Sequence, residues 1–119
     1  MKRVLSLIAF VQALSATTAL ACSGIIPPVC ANCEVTVEMQ VQKGKYCGKR
    51  ALALAVVSVT DGRVVEQARY GTAEVARGPG FRYLSNRVGS DTFVIGFGGL
   101  DRFNKPVWAR YRVNVRIID

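Results

Sequence analysis

Gly89-Ser90-Asp91-Thr92-Phe93-Val94-Ile95-Gly96-Phe97 is the stretch whose reading decides the fold. A Gly-Ser-Asp turn signal feeds a run in which Phe93, Ile95 and Phe97 alternate with smaller or more polar neighbours. That period of two is the pattern of a strand with one buried face. The Gly98-Gly99 pair reads as a hairpin turn, followed by a loop through Asp101, Asn104 and Pro106. A final strand then places Tyr111, Val113, Val115 and Ile117 on one face and Arg110, Arg112, Asn114 and Arg116 on the other. The two strands form the expected central hairpin of an all-β domain.

Working outward, residues 34–42 alternate strictly, with Val35, Val37, Met39 and Val41 on the buried side of a further strand. Lys43, Lys45, Lys49 and Arg50 populate a basic loop after it. Residues 51–59 are nearly all apolar. Val56, Val57 and Val59, with the turn signal Thr60-Asp61-Gly62, favour a strand there over a helix, and residues 63–70 read as its hairpin partner. Short strands are expected at 72–76 and 81–84, separated by the Arg77-Gly78-Pro79-Gly80 turn. About seven short strands in one domain predict an antiparallel β-sandwich of the immunoglobulin-like kind.

The N-terminal 21 residues are organised differently. Lys2 and Arg3 precede an apolar run from Val4 to Leu14, and Ala19-Leu20-Ala21 supplies a small-x-small cleavage site. This is the layout of a secretory signal peptide, and the run is too short to span a bilayer as a helix. The domain plan is therefore a signal peptide over 1–21, a cysteine-bearing arm over 22–33 and a sandwich over 34–119. The expected location is periplasmic or secreted, with no transmembrane segment in the mature chain. Lipid attachment at Cys22 is disfavoured, because Ala19 stands where a lipoprotein signal has leucine and Leu20 where it has a small residue.

All four cysteines, Cys22, Cys30, Cys33 and Cys47, fall in the arm and the loop after the first long strand. In an oxidising compartment two disulfides are the default, and spacing alone leaves three connectivities open. The weakly preferred one joins Cys47 to Cys30 or Cys33, with Cys22 taking the other. Cys30-Ala-Asn-Cys33 has the spacing of a redox motif, which keeps a thiol-disulfide protein as an alternative. That chemistry needs a thiolate at a helix N-terminus, whereas here a strand and Glu34 follow. A four-cysteine zinc site would show two short-spaced pairs, and only one exists.

The chain carries 16 Lys+Arg against 8 Asp+Glu and no histidine. Without the leader the formal charge is +6, which favours anionic partners without naming one. The absence of histidine excludes Ser-His-Asp and Cys-His catalysis and removes the commonest metal ligand. Glu34 and Glu38 lie about 13 Å apart along a strand, too far for paired catalytic carboxylates. Gly96-Phe97-Gly98-Gly99 precedes no helix and lacks Lys-Ser/Thr, so it is not a phosphate loop. Asp91, between turn and strand, is read as shaping the turn through an Asx hydrogen bond. The reading is non-catalytic, without cofactor or metal. Arg110, Arg112 and Arg116 form a candidate face for anionic polymers or lipids, weighed against simple solvation and protection of a sheet edge. Nucleic acid is not an expected partner, since few aromatics accompany the basic residues.

Tyr70-Gly71-Thr72-Ala73, Phe81-Arg82-Tyr83, Gly89-Ser90-Asp91-Thr92-Phe93 and the closing Tyr111-Arg112-Val113-Asn114-Val115 together resemble the bacterial Ig-like and cadherin-like repeats. The resemblance spans about half of the mature chain. It departs from those repeats at Tyr70 and Leu84, where proline is usual, and it lacks clustered acidic calcium motifs. It implies a sandwich fold and a role in binding or in the structure of the cell envelope. The partner would be an envelope or extracellular protein, or an acidic glycan. Fold does not fix that role.

Overall fold

A computed structural model describes residues 22–27, 31–50, 58–76 and 80–119. The expected leader therefore lies outside the described residues, as do Cys30 and most of the apolar run 51–59. The described chain is all-β, with no helix and 69% of it in strands. The strands are β1 (Cys22–Ser23), β2 (Cys33–Gln42), β3 (Cys47–Arg50), β4 (Ser58–Glu66), β5 (Thr72–Val75), β6 (Gly80–Leu84), β7 (Gly89–Leu100) and β8 (Pro106–Ile118). They form two sheets, one ordered β1-β2-β8-β7-β4 and the other β3-β6-β5.

The three long alternating runs become the three adjacent strands at the centre of the larger sheet. β7 and β8 pair antiparallel from Gly89↔Ile117 to Leu100↔Pro106. β2 pairs with β8 in parallel, from Cys33↔Ala109 to Gln42↔Ile118. Their apolar phases coincide, so Val37, Met39, Val41, Phe93, Ile95, Phe97, Tyr111, Val113, Val115 and Ile117 are all buried on one face. The smaller sheet answers with Cys47, Ala73, Phe81 and Tyr83. Phe93 meets Phe81 edge-on at 5.9 Å between ring centroids and stacks on Tyr83 at 5.4 Å. Aromatic pairs at such distances add about 1 kcal/mol each beyond the area they bury.

The Cys22–Cys47 disulfide ties β1 of the larger sheet to β3 of the smaller one, across 25 residues of sequence. This corrects the expected pairing of Cys47 with Cys30 or Cys33. β1 runs antiparallel to β2, with Cys22 opposite Val41, and that register delivers its sulfur to β3. Beyond β1 the arm buries Ile26, and the Pro27 carbonyl accepts a hydrogen bond from the Tyr111 hydroxyl at 2.9 Å.

Four further expectations change. Thr60-Asp61-Gly62 is no hairpin turn: it lies inside β4, which pairs with β7 across register shifts at Val59/Asp61 and Val64/Glu66. Glycine is used at 62 for packing, because a Cβ there would come within 3.2 Å of the Phe97 ring. Gly98-Gly99 is likewise strand rather than turn. The chain reverses after Leu100, where Asp101 Oδ1 accepts the Phe103 and Lys105 amides and Asn104 takes φ 60°. Finally, β8 lies between β2 and β7, so its arginines do not guard an edge, and residues 47–50 are strand rather than loop.

Candidate functional site

The expected turn role of Asp91 turns out to be the local part of a larger structure. Its Oδ1 accepts the Thr92 amide at 2.9 Å, the local Asx bond, and the Arg69 amide at 2.8 Å. Its Oδ2 accepts the Gly71 and Tyr70 amides at 2.9 and 3.1 Å and the Tyr83 hydroxyl at 2.7 Å. Five donors thus converge on a carboxylate that is 6% exposed, and they hold the loop between β4 and β5 against β6 and β7. Burial pushes the Asp91 carboxyl up, but the bonds from Tyr83 and from the Gly71, Arg69 and Tyr70 amides outweigh it and hold the group below the usual carboxylate range. Burial, and then the bond to Asp91, push the Tyr83 phenol up. A saturated carboxylate has no lone pair left for a ligand, so this corner is scaffold.

The outer face of the larger sheet is where side chains meet solvent. Arg110, Arg112 and Arg116 share it, as their spacing on β8 requires. Their neighbours make them three different environments. Arg112 donates from Nε to Glu34 at 3.3 Å across β2 and from Nη2 to Glu66 at 3.1 Å on β4. The guanidinium thereby straps the sheet crosswise above Val94, its register partner on β7, which is 1% exposed. Its charge is offset on both sides.

Arg116 borders a wide open groove of about 860 Å³ lined with Glu38, Gln40, Ser90, Thr92 and Asn114. Within it the Thr92 hydroxyl donates to Asn114 Oδ1 at 3.0 Å, and Asn114 Nδ2 donates to Glu38 Oε2 at 2.8 Å. These groups largely satisfy one another, as on an ordinary solvated sheet face.

Arg110 stands at the other end. Glu34 is directly opposite it on β2 but bonds Arg112 instead. Among the described residues Arg110 makes no ion pair, and its guanidinium carbon lies 4.9 Å from the centroid of the Trp108 ring. Trp108 is 42% exposed. Across β7, Gly98 separates Trp108 from Asp61 and Gly96 separates Arg110 from Arg63, in two successive rows. Two glycines side by side in phase leave a trench of about 180 Å³ between β4 and β8, some 10 Å apart. Val65 fills the space above Gly96, whereas a Cβ on Gly98 would meet nothing nearer than Asp61 Cβ at 3.9 Å. The trench is therefore floored by backbone at Gly98. Trp108 and Arg63 do not figure among the sequence-derived candidates. The available signal was that Gly96, Gly98, Trp108 and Arg110 fall in the outward phase of their strands.

Of the cysteines, Cys22 and Cys47 are bonded to each other, Cys33 at the start of β2 is disulfide-bonded, and Cys30 lies outside the described residues. No protein-family model, no curated protein and no solved structure matches this chain.

Proposed function

We propose that the chain is an exported, non-catalytic Ig-like module that binds another component of the cell envelope or the extracellular space. The observation that carries this reading is the Cys22–Cys47 bridge, placed directly after a leader-like segment and joining the two sheets. Disulfides of this kind form and persist in oxidising compartments. A Cys22 sulfur engaged in a bridge is also not free for lipid attachment, which favours a soluble periplasmic or secreted product.

The strand order supports the Ig-like assignment. With the two-residue β1 set aside, seven strands remain, and the second, fourth and fifth of them make one sheet while the third, sixth and seventh lie in the other. Ig-like sandwiches divide their strands in that way. The first strand here joins the larger sheet in parallel with the last. The absence of histidine and the structural use of Asp91 favour binding over catalysis.

The test is expression of the whole chain in a bacterial host with an oxidising periplasm. Mass spectrometry of the product should give an unmodified N-terminus at Cys22 and no free thiols, and the product should be retained on cell-envelope fractions. A chain that keeps residues 1–21, or shows no retention on envelope or extracellular material, overturns the proposal.

A further inference from the structure

We infer that the trench between β4 and β8 is a binding site for a carboxylate-bearing sugar unit of an acidic polysaccharide. The inference rests on the binding-module reading and names its ligand class.

Four features of the trench converge on that chemistry. Trp108 presents a large, half-exposed ring as one wall, and its part not covered by Arg110 is the kind of flat apolar surface against which the C–H face of a pyranose packs. Arg110, stacked on that ring, and Arg63 across Gly96 are two guanidinium groups with no anionic partner among the described residues, in contrast to the doubly paired Arg112. Guanidinium forks match carboxylates in plane and spacing. Gly98 then supplies a floor without a side chain, although glycine in a strand interior costs stability and here relieves no contact. Asp61, in the Trp108 row, is placed to accept hydroxyl donors from the ring, one row away from the two arginines that take the carboxylate. The volume, about 180 Å³, is below the roughly 300 Å³ at which drug-sized pockets begin and suits a single ring. The trench is open at the sheet surface, so neighbouring units of a chain can continue beyond it.

Trp108 is the only tryptophan, so its fluorescence reports this site alone. The leaderless oxidised protein is titrated with tetragalacturonate, with monomeric glucuronate, with cellotetraose as the neutral control, and with sodium sulfate at matched ionic strength. The expected result is a saturable change with the two uronates and none with cellotetraose or sulfate. In Arg63→Ser and Arg110→Ser the uronate affinity should fall at least tenfold, and Gly98→Val should abolish the response. Circular dichroism checks that each variant is folded; both arginines are exposed or half-exposed, so these two keep the test decisive if Gly98→Val fails to fold. No response to either uronate overturns the inference, as does unchanged affinity in the Arg63→Ser/Arg110→Ser double variant. Equal response to cellotetraose or to sulfate overturns it too, by reducing the site to a neutral-sugar or a bare-anion site. If the double variant loses uronate binding but stays on envelope fractions, the site stands and the envelope partner is held elsewhere. If the wild type binds the envelope but no uronate, only this inference falls.

Discussion

The two ends of the β7–β8 hairpin treat charge in opposite ways. At the Gly89 end, the Asp91 carboxylate is buried and accepts five hydrogen bonds. At the Leu100 end, Arg63 and Arg110 line a trench beside Asp61 and make no ion pair among the described residues. The strap of Arg112, Glu34 and Glu66 lies between these extremes, paired but solvent-exposed. The difference teaches where stability and where recognition are to be sought. Polar groups that the chain itself saturates in its interior hold the fold, and those it leaves unmatched at the surface are free to bind.

The comparison breaks most visibly at Asp91. Asp91→Ala leaves four amides and a phenol without their acceptor, and denaturant unfolding should show a loss of about 4 kcal/mol. Next comes the bridge: Cys22→Ser/Cys47→Ser releases a 25-residue loop, worth about 3.5 kcal/mol in the chain-entropy model, read in the same assay. The third test is acid. Because the folded Asp91 carboxyl is held below its ordinary value of about 4, its contribution is full above that pH and is lost as pH falls through the lowered value. The melting temperature of the wild type should therefore drop more steeply below about pH 4 than that of Asp91→Ala. A smaller effect is expected at the strap, where Arg112→Ser should lower the melting temperature only slightly, and less still in high salt. Smallest of all, Arg63→Ser and Arg110→Ser should change stability by no more than about 0.5 kcal/mol. A large loss in either would make the trench a structural feature and erase the contrast.

Much of the sandwich was legible because β2, β7 and β8 are half-buried strands whose alternation survives any choice of partner. Phe93, Ile95 and Phe97 are core for the reason their spacing gives. What failed was the meaning of glycine. Asp61-Gly62 and Gly98-Gly99 carry the composition of turns, yet one glycine makes room for Phe97 and another floors a trench, and both reasons come from a neighbouring strand. The candidate site was legible only in part for the same cause. A period of two puts Arg110, Arg112 and Arg116 on one face, but only the strand order reveals that two glutamates reach Arg112 and that Arg63 stands across from Arg110. The Asp91 donors at residues 69–71 are some twenty residues away in sequence, and only the fold brings them to the carboxylate.

The parallel ladder between β2 and β8 also sets the order in which the fold can be completed. Cys33 is paired with Ala109 and Gln42 with Ile118, so the first long strand to be synthesised waits for the last. Until residues 106–118 have emerged, β2 can rely on only the two residues of β1, and the central sheet lacks its middle strand. Contacts this distant in sequence close slowly. A chain emerging N-terminus first would thus leave β2 without a long partner until its C-terminal strand had appeared.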